Sequence, residues 1–174
     1  MNTRTIRRSL LSAGLLVVLA IPFQASAGSQ TANLSVQSNI TANCTISTSI
    51  LQFGAYDPIF ANASTPLAGT GGITTTCTTG SAPVITLGQG LHSASGSTDA
   101  APLRQMLNGS SNMSYGLFQD VGHNTVWGNT SGTAPTSVAG TGLAQNFVVY
   151  GQIPAGQNLP SGTYNDTVVA TVTF

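Results

Sequence analysis

An all-β sandwich is the fold class this sequence predicts, and three observations carry it. Apolar and polar residues alternate in short runs; Gly and Pro, 20 and 8 of 174 residues, interrupt those runs before a long helix has room; and Thr, Ser, Asn and Val are abundant. Charged residues make up only 5% of the chain, so the expected surface is polar and nearly neutral.

Residues 1–27 are set aside before any fold reasoning. Arg4, Arg7 and Arg8 precede an apolar run from Leu10 to Ile21, and Ala25-Ser26-Ala27 follows it, the pattern of a secretory signal peptide with its small-residue cleavage site. The apolar run has about a dozen residues where roughly 20 are needed to span a bilayer, so no membrane insertion of the mature chain is expected. Beyond the leader one cation remains, Arg104, against Asp57, Asp99, Asp120 and Asp166, a net charge near −3. A phosphate-binding surface needs several cations to release counterions, so nucleic acid is not an expected partner. Polybasic attachment to lipid fails for the same reason.

The first element is "ANLSVQSNITANCTI", residues 32–46. Ala32, Leu34, Val36, Ser38, Ile40, Ala42, Cys44 and Ile46 share one face and polar residues the other, so the stretch predicts a β-strand with one buried face, longer than the usual five or six residues. The apolar pattern continues to Phe53 and breaks at "FGAYDP", where Gly54, Asp57 and Pro58 supply turn chemistry. Residues 59–72 read as loop, "ITTTCTT" as a second strand and "APVITLG" as a third. "LRQML" and "MSYGLFQD" flank "NGSSN" as a hairpin with a longer loop, and "NTVWG" reads as a short strand. "NFVVYGQI" and "TYNDTVVATVTF" close the chain around the turn-rich "PAGQNLPSG". In the last strand Tyr164, Val168, Ala170, Val172 and Phe174 share a face, and no strand is expected after Phe174. A sandwich ending there leaves an unpaired edge and an uncovered groove.

Cys44 and Cys77 both lie beyond the leader and enter an oxidising compartment, so one disulfide is expected. It would stabilise by roughly 3 to 4 kcal/mol in the chain-entropy account. A metal site would need companions, and His92 and His123 sit in Gly- and Ser-rich loops without ligand spacing.

Two readings of the opening stretch stand side by side. Either one long strand switches sheets at a bulge, helped by Asn39 and Asn43, or the tail projects outward and fills the groove of another subunit. Burying Leu34, Val36 and Ile40 would give about 1.5 to 3 kcal/mol each, and the ladder hydrogen bonds about 0.5 to 1.5 kcal/mol apiece. Ordering the tail opposes this by about 1 to 2 kcal/mol per residue, so the expected consequence is slow release and not a stated affinity.

The Cys44 strand with "FGAYDP", the "GGITTTC" segment, the "LRQML" to "SYGLFQD" block with "VWG", and "VVYGQIPAGQNLPSGTYNDTVVATVTF" together resemble the spore coat protein U family. That family includes the Csu-type subunits of archaic chaperone-usher pili. The resemblance covers nearly the whole mature chain. It implies an incomplete immunoglobulin-like sandwich lacking its seventh strand and completed by a donor strand. Residues 1–27 would be the signal peptide, 28–43 the donor-strand extension and 44–174 the pilin domain. Ala32, Leu34, Val36, Ile40 and Ala42 would fill a neighbour's groove, while Tyr164, Val168, Ala170, Val172 and Phe174 would line this chain's own. The implied partners are a periplasmic pilus chaperone, an outer-membrane usher and neighbouring pilins, and the implied destination is the cell surface, where fibres support adhesion and biofilm formation. Some members of the family are described as spore or cell coat proteins.

Chemistry is thinly represented. His92, His123 and Asp120 with a serine could compose a triad, but no GxSxG elbow occurs, and "GTGGI" and "GQGL" lack the lysine and helix of a phosphate loop. No catalytic residue, metal or cofactor is expected. The sequons at Asn62, Asn108, Asn112 and Asn165 arise readily in so Asn-, Ser- and Thr-rich a chain. Arg104 is expected to pair with Asp120 or Asp99 across the hairpin, and Trp127 and Tyr115 to be core aromatics. A secreted carbohydrate-binding β-sandwich, with residues 32–42 buried in its own fold, is the competing functional class.

Overall fold

The structure, a computed structural model, describes residues 26–174; the expected leader lies almost wholly outside them. The chain divides after Ser38 into two units. Residues 26–43 carry no regular secondary structure and every one is exposed. The long opening strand expected from the sequence therefore begins only at Cys44, because a strand needs hydrogen-bonded neighbours along its length and, among the described residues, Asn43 is the one tail residue that has such a partner.

Seven strands follow: β1 Cys44–Gln52, β2 Leu67–Cys77, β3 Val84–Leu87, β4 Arg104–Asn108, β5 Ser111–Phe118, β6 Ala144–Ile153 and β7 Ala170–Thr173. A three-residue 3-10 turn, Ser131–Thr133, is the helical content of the described residues. The strands make a five-stranded sheet in the order β1-β2-β6-β5-β4 and a two-stranded sheet of β3 and β7. Every pairing is antiparallel. The core lies between the sheets and is built from Ile73, Leu117, Val149 and Ile153 of the larger, Ile85 and Leu87 of the smaller, and Trp127.

The two ends of the large sheet differ. Cys44↔Cys77 and Thr76↔Ala144 lie at one, the cysteine end; Gln52↔Thr70 and Leu67↔Ile153 lie at the other, the loop end. The disulfide joins Cys44 to Cys77 across a sequence separation of 33, closing the first residue of β1 onto the last of β2. Beside it the Asn43 and Thr78 backbones are joined by a hydrogen bond of 2.9 Å.

Of the residues read as loop, 59–66 are loop, while 67–72 instead supply the first half of β2. Glycines belong there and on the neighbouring β6 for a steric reason: a Cβ at Gly71 of β2 would lie 2.8 Å from the Leu51 Cβ, and one at Gly151 of β6 would lie 2.8 Å from the Phe53 ring. The glycines open a trough into which Leu51 and Phe53 fold. The β1–β2 register shifts between Ser49 and Gln52, a bulge that moves the inward face from the even positions Cys44 and Ile46 to the odd positions Leu51 and Phe53. Ile50, left at the bulge, is exposed.

Other expectations change in detail. The β4–β5 hairpin closes through two residues, since Asn108 pairs with Ser111; Gly109, with φ 61°, supplies the backbone such a loop requires at its first position. "NTVWG" forms only an isolated bridge, Phe118↔Val126, and its real role is to bury Trp127, whose indole N–H donates to the Ile85 carbonyl at 2.9 Å. The closing stretch pairs as a strand only over β7, with one earlier bridge from Asn165 to Leu107.

Arg104 forms no ion pair with Asp120 or Asp99. It and Trp127 are each 1% exposed, and its guanidinium donates to the carbonyls of Gly88 at 2.9 Å, Leu87 at 2.9 Å and Trp127 at 2.8 Å. Carbonyl ligands, not a carboxylate, hold this cation, and they tie β4 to the end of β3 and to the tryptophan loop. Burial lowers its pKa from the ordinary value to about 10.

Candidate functional site

The site is an open groove of about 400 Å³ between β1 and the segment leading into β7. β1 pairs only with β2, and β7 only with β3. One edge of each is therefore unpartnered, and the gap between them opens onto the core. Leu51, Phe53, Tyr164, Val168 and Ala170 form its walls, with Ile73, Leu117 and Val149 beneath. The molecule is an incomplete immunoglobulin-like sandwich: by topology the missing strand is the one that would lie between β1 and β7.

Of the residues expected to line the groove, Tyr164, Val168 and Ala170 do so. Val172 packs against the core further along β7, and Phe174 stands half exposed beyond the last strand residue. The expected donor residues are elsewhere: Leu34, Val36 and Ile40 are 88%, 84% and 83% exposed, and Ala32 and Ala42 are exposed too. Three large aliphatic side chains thus stand in water at even positions of the tail.

One charged residue, Asp166, stands in the groove wall, and it is not among the groove residues the sequence singles out. Asp166 falls on the same alternating face as Tyr164 and Val168, and its side chain is 2% exposed. Its carboxylate accepts hydrogen bonds from the Tyr115 hydroxyl at 2.7 Å and the Leu91 N–H at 3.0 Å, and lies 3.2 Å from Nδ1 of His92. Gly90 makes room for it, since a Cβ there would collide with the carboxylate. Burial, and then the bond to Asp166, push the Tyr115 phenol far above its ordinary value. Tyr115 thus stays a neutral donor, and its ring meets Phe53 edge-on with centroids 6.2 Å apart. Parity along the strand is the available signal for Asp166; its charge masks it.

The triad conceivable from sequence is not assembled. His92 meets Asp166, whereas Asp120 is occupied by the backbone N–H groups of Asn124 and Thr125, which lower its pKa. "GTGGI" lies inside β2. Among the described residues no group of three or more His, Cys, Asp or Glu could hold a metal ion.

Comparison with known proteins gives three findings. The family model of the Spore Coat Protein U domain matches residues 30–171. Protein U of Myxococcus xanthus is 50% identical over 158 residues, covering 86% of this chain and 88% of that protein. Among solved structures, the chain is similar to one in the chaperone and tip adhesion subunit pre-assembly complex of the archaic chaperone-usher Csu pili of Acinetobacter baumannii. The TM-score is 0.52 at 23% identity, with 78% of this chain covered. This chain spans 40% of the length of that one, and the likeness is one of fold.

Proposed function

This chain belongs to the family of Spore Coat Protein U domains, and from that premise we propose that it is a structural subunit of a surface fibre, assembled by donor-strand exchange. One observation carries the reading. The same chain has a groove with unpaired edges on both sides and an exposed tail whose apolar residues recur with the period of two that such a groove accepts. The tail of one subunit, residues 28–43, completes the sandwich of the next, with Ala32, Leu34, Val36, Ile40 and Ala42 turned inward. Backbone groups pair along the free edge of β7, and Tyr164, Val168 and Ala170 receive the side chains.

Until a neighbour's tail arrives, a periplasmic chaperone supplies the missing strand, and an outer-membrane usher exports the growing fibre. Residues 1–27 direct the chain to the periplasm and are removed. The assembled fibre serves attachment to surfaces and growth in biofilms. The family's description as Spore Coat Protein U domains favours a second reading, in which the same polymer forms a spore or cell coat; the groove and tail work identically in it.

Deleting residues 28–42 tests the reading. The shortened subunit is expected to keep its fold when produced with its chaperone, and to yield none of the denaturant-resistant multimers sheared from cells making the intact chain. A carbohydrate-binding sandwich would instead lose its fold on the same deletion.

A further inference from the structure

We propose that successive subunits also dock body to body, through Ile59 and Phe60 of one copy and Val138 and Leu143 of the copy whose tail it holds. The inference rests on the donor-strand reading and adds a second, heterologous contact to it.

The two patches lie at opposite ends of the body. Residues 53–66 join β1 to β2 at the loop end, and in this loop Ile59 is 73% and Phe60 88% exposed. The loop is a stiff presentation, not a slack one. Asp57 Oδ1 accepts from the N–H groups of Ile59 at 3.0 Å and Phe60 at 3.1 Å. Buried Asn62 ties the loop to itself through Asp57 and Thr65. The Asn62 carbonyl accepts from Gly156 at 2.8 Å, and the Tyr56 hydroxyl donates to the Pro154 carbonyl at 2.8 Å. At the cysteine end Leu143, 72% exposed, and Val138, 47% exposed, flank a loop held by hydrogen bonds from Gly142 to Cys77 and from Gly140 to Ser81, each 2.9 Å.

Chain direction brings unlike ends together. The β7 segment runs from the loop end, where Asn165 bridges to Leu107, to the cysteine end, where Thr173 pairs with Val84. A strand added antiparallel to it, as in every pairing of this body, runs back toward the loop end. The donor's own body then begins at the acceptor's loop end. From Ile40 to Cys44 the chain can span at most about 14 Å, so the donor's cysteine end is held against the acceptor's Ile59–Phe60 loop. Heterologous contacts of this kind propagate into open filaments.

The test is a cysteine pair, Phe60→Cys with Leu143→Cys in the full chain, in fibres sheared from the cells that assemble them and treated with a mild oxidant. Both side chains are exposed, so neither substitution removes core packing. The expected result is a ladder of multimers that survives boiling in detergent and collapses on reduction, with no reduction-sensitive ladder from either single variant. Intact fibres without cross-links, or dimers from Leu143→Cys alone, would overturn the contact. If the unaltered chain gave no multimers at all, the donor-strand reading would fail first and take this contact with it. As a second measurement, Phe60→Ser fibres should form in normal yield with a persistence length reduced about twofold; unchanged stiffness also counts against the proposal.

Discussion

Arg104 shows how far one residue's surroundings outrun its composition. As the sole cation beyond residue 27 it invites a carboxylate partner, yet it is buried beneath three carbonyls belonging to Leu87, Gly88 and Trp127. A buried acceptor left unmade costs about 1 to 3 kcal/mol. Replacing Arg104 by Met, which keeps the length of the stem and removes every donor, is therefore expected to destabilise the chain by at least about 3 kcal/mol, read from the urea midpoint in the donor-completed form. A loss below about 1 kcal/mol would mean that the carbonyls find other partners. Composition could single out Arg104 but not choose its ligands, because a carbonyl leaves no mark in a side-chain sequence. Asp166 is hidden for the converse reason: a charge on an apolar face reads as a break in the pattern until Tyr115, Leu91 and His92 are seen around it.

At the scale of elements, period-two alternation finds the strands from Cys77 onward and misplaces the meeting of the first two. Gly69 and Gly71 fall in the stretch read as loop, but they line a strand because Phe53 and Leu51 lie across them. Glycine marks close approach as well as turns, and only the partner strand distinguishes the two. The two glycines beneath this trough should respond differently to the same substitution. At Gly71 a methyl group meets the Cα and backbone N of Leu51, 3.2 and 3.3 Å away, whereas at Gly151 it meets only the ends of the Phe53 and Leu51 side chains. Gly71→Ala is expected to cost about 1 to 3 kcal/mol and to loosen β1 from β2, and Gly151→Ala less than half as much, as measured by denaturation and by amide exchange along β1. Equal effects would show that the bulge at Ile50 and Leu51 yields freely. The closing stretch "TYNDTVVATVTF" reads as one continuous strand, and only Ala170–Thr173 pairs as one; alternation sets which way its side chains point, while pairing depends on a neighbour.

For the molecule as a whole, the all-β class, the disulfide partners and the groove beside β7 are legible in the sequence, since each rests on alternation, compartment or the position of the last strand. Less legible is that β1 and β7 are both left with a free edge, which is a property of topology. The central claim is that this body is thermodynamically unfinished and that residues 28–43 are the missing piece. Appending a second copy of those residues after Phe174 through a short flexible turn places them at the cysteine end, where an antiparallel partner of β7 must start. Thermal unfolding of that fusion, against a control whose appended copies of Leu34, Val36 and Ile40 are Asp, is the most direct test. A monomer melting at least about 10 °C above the control, equivalent to roughly 3 to 5 kcal/mol, is the predicted result; equal melting temperatures for the two fusions would contradict it.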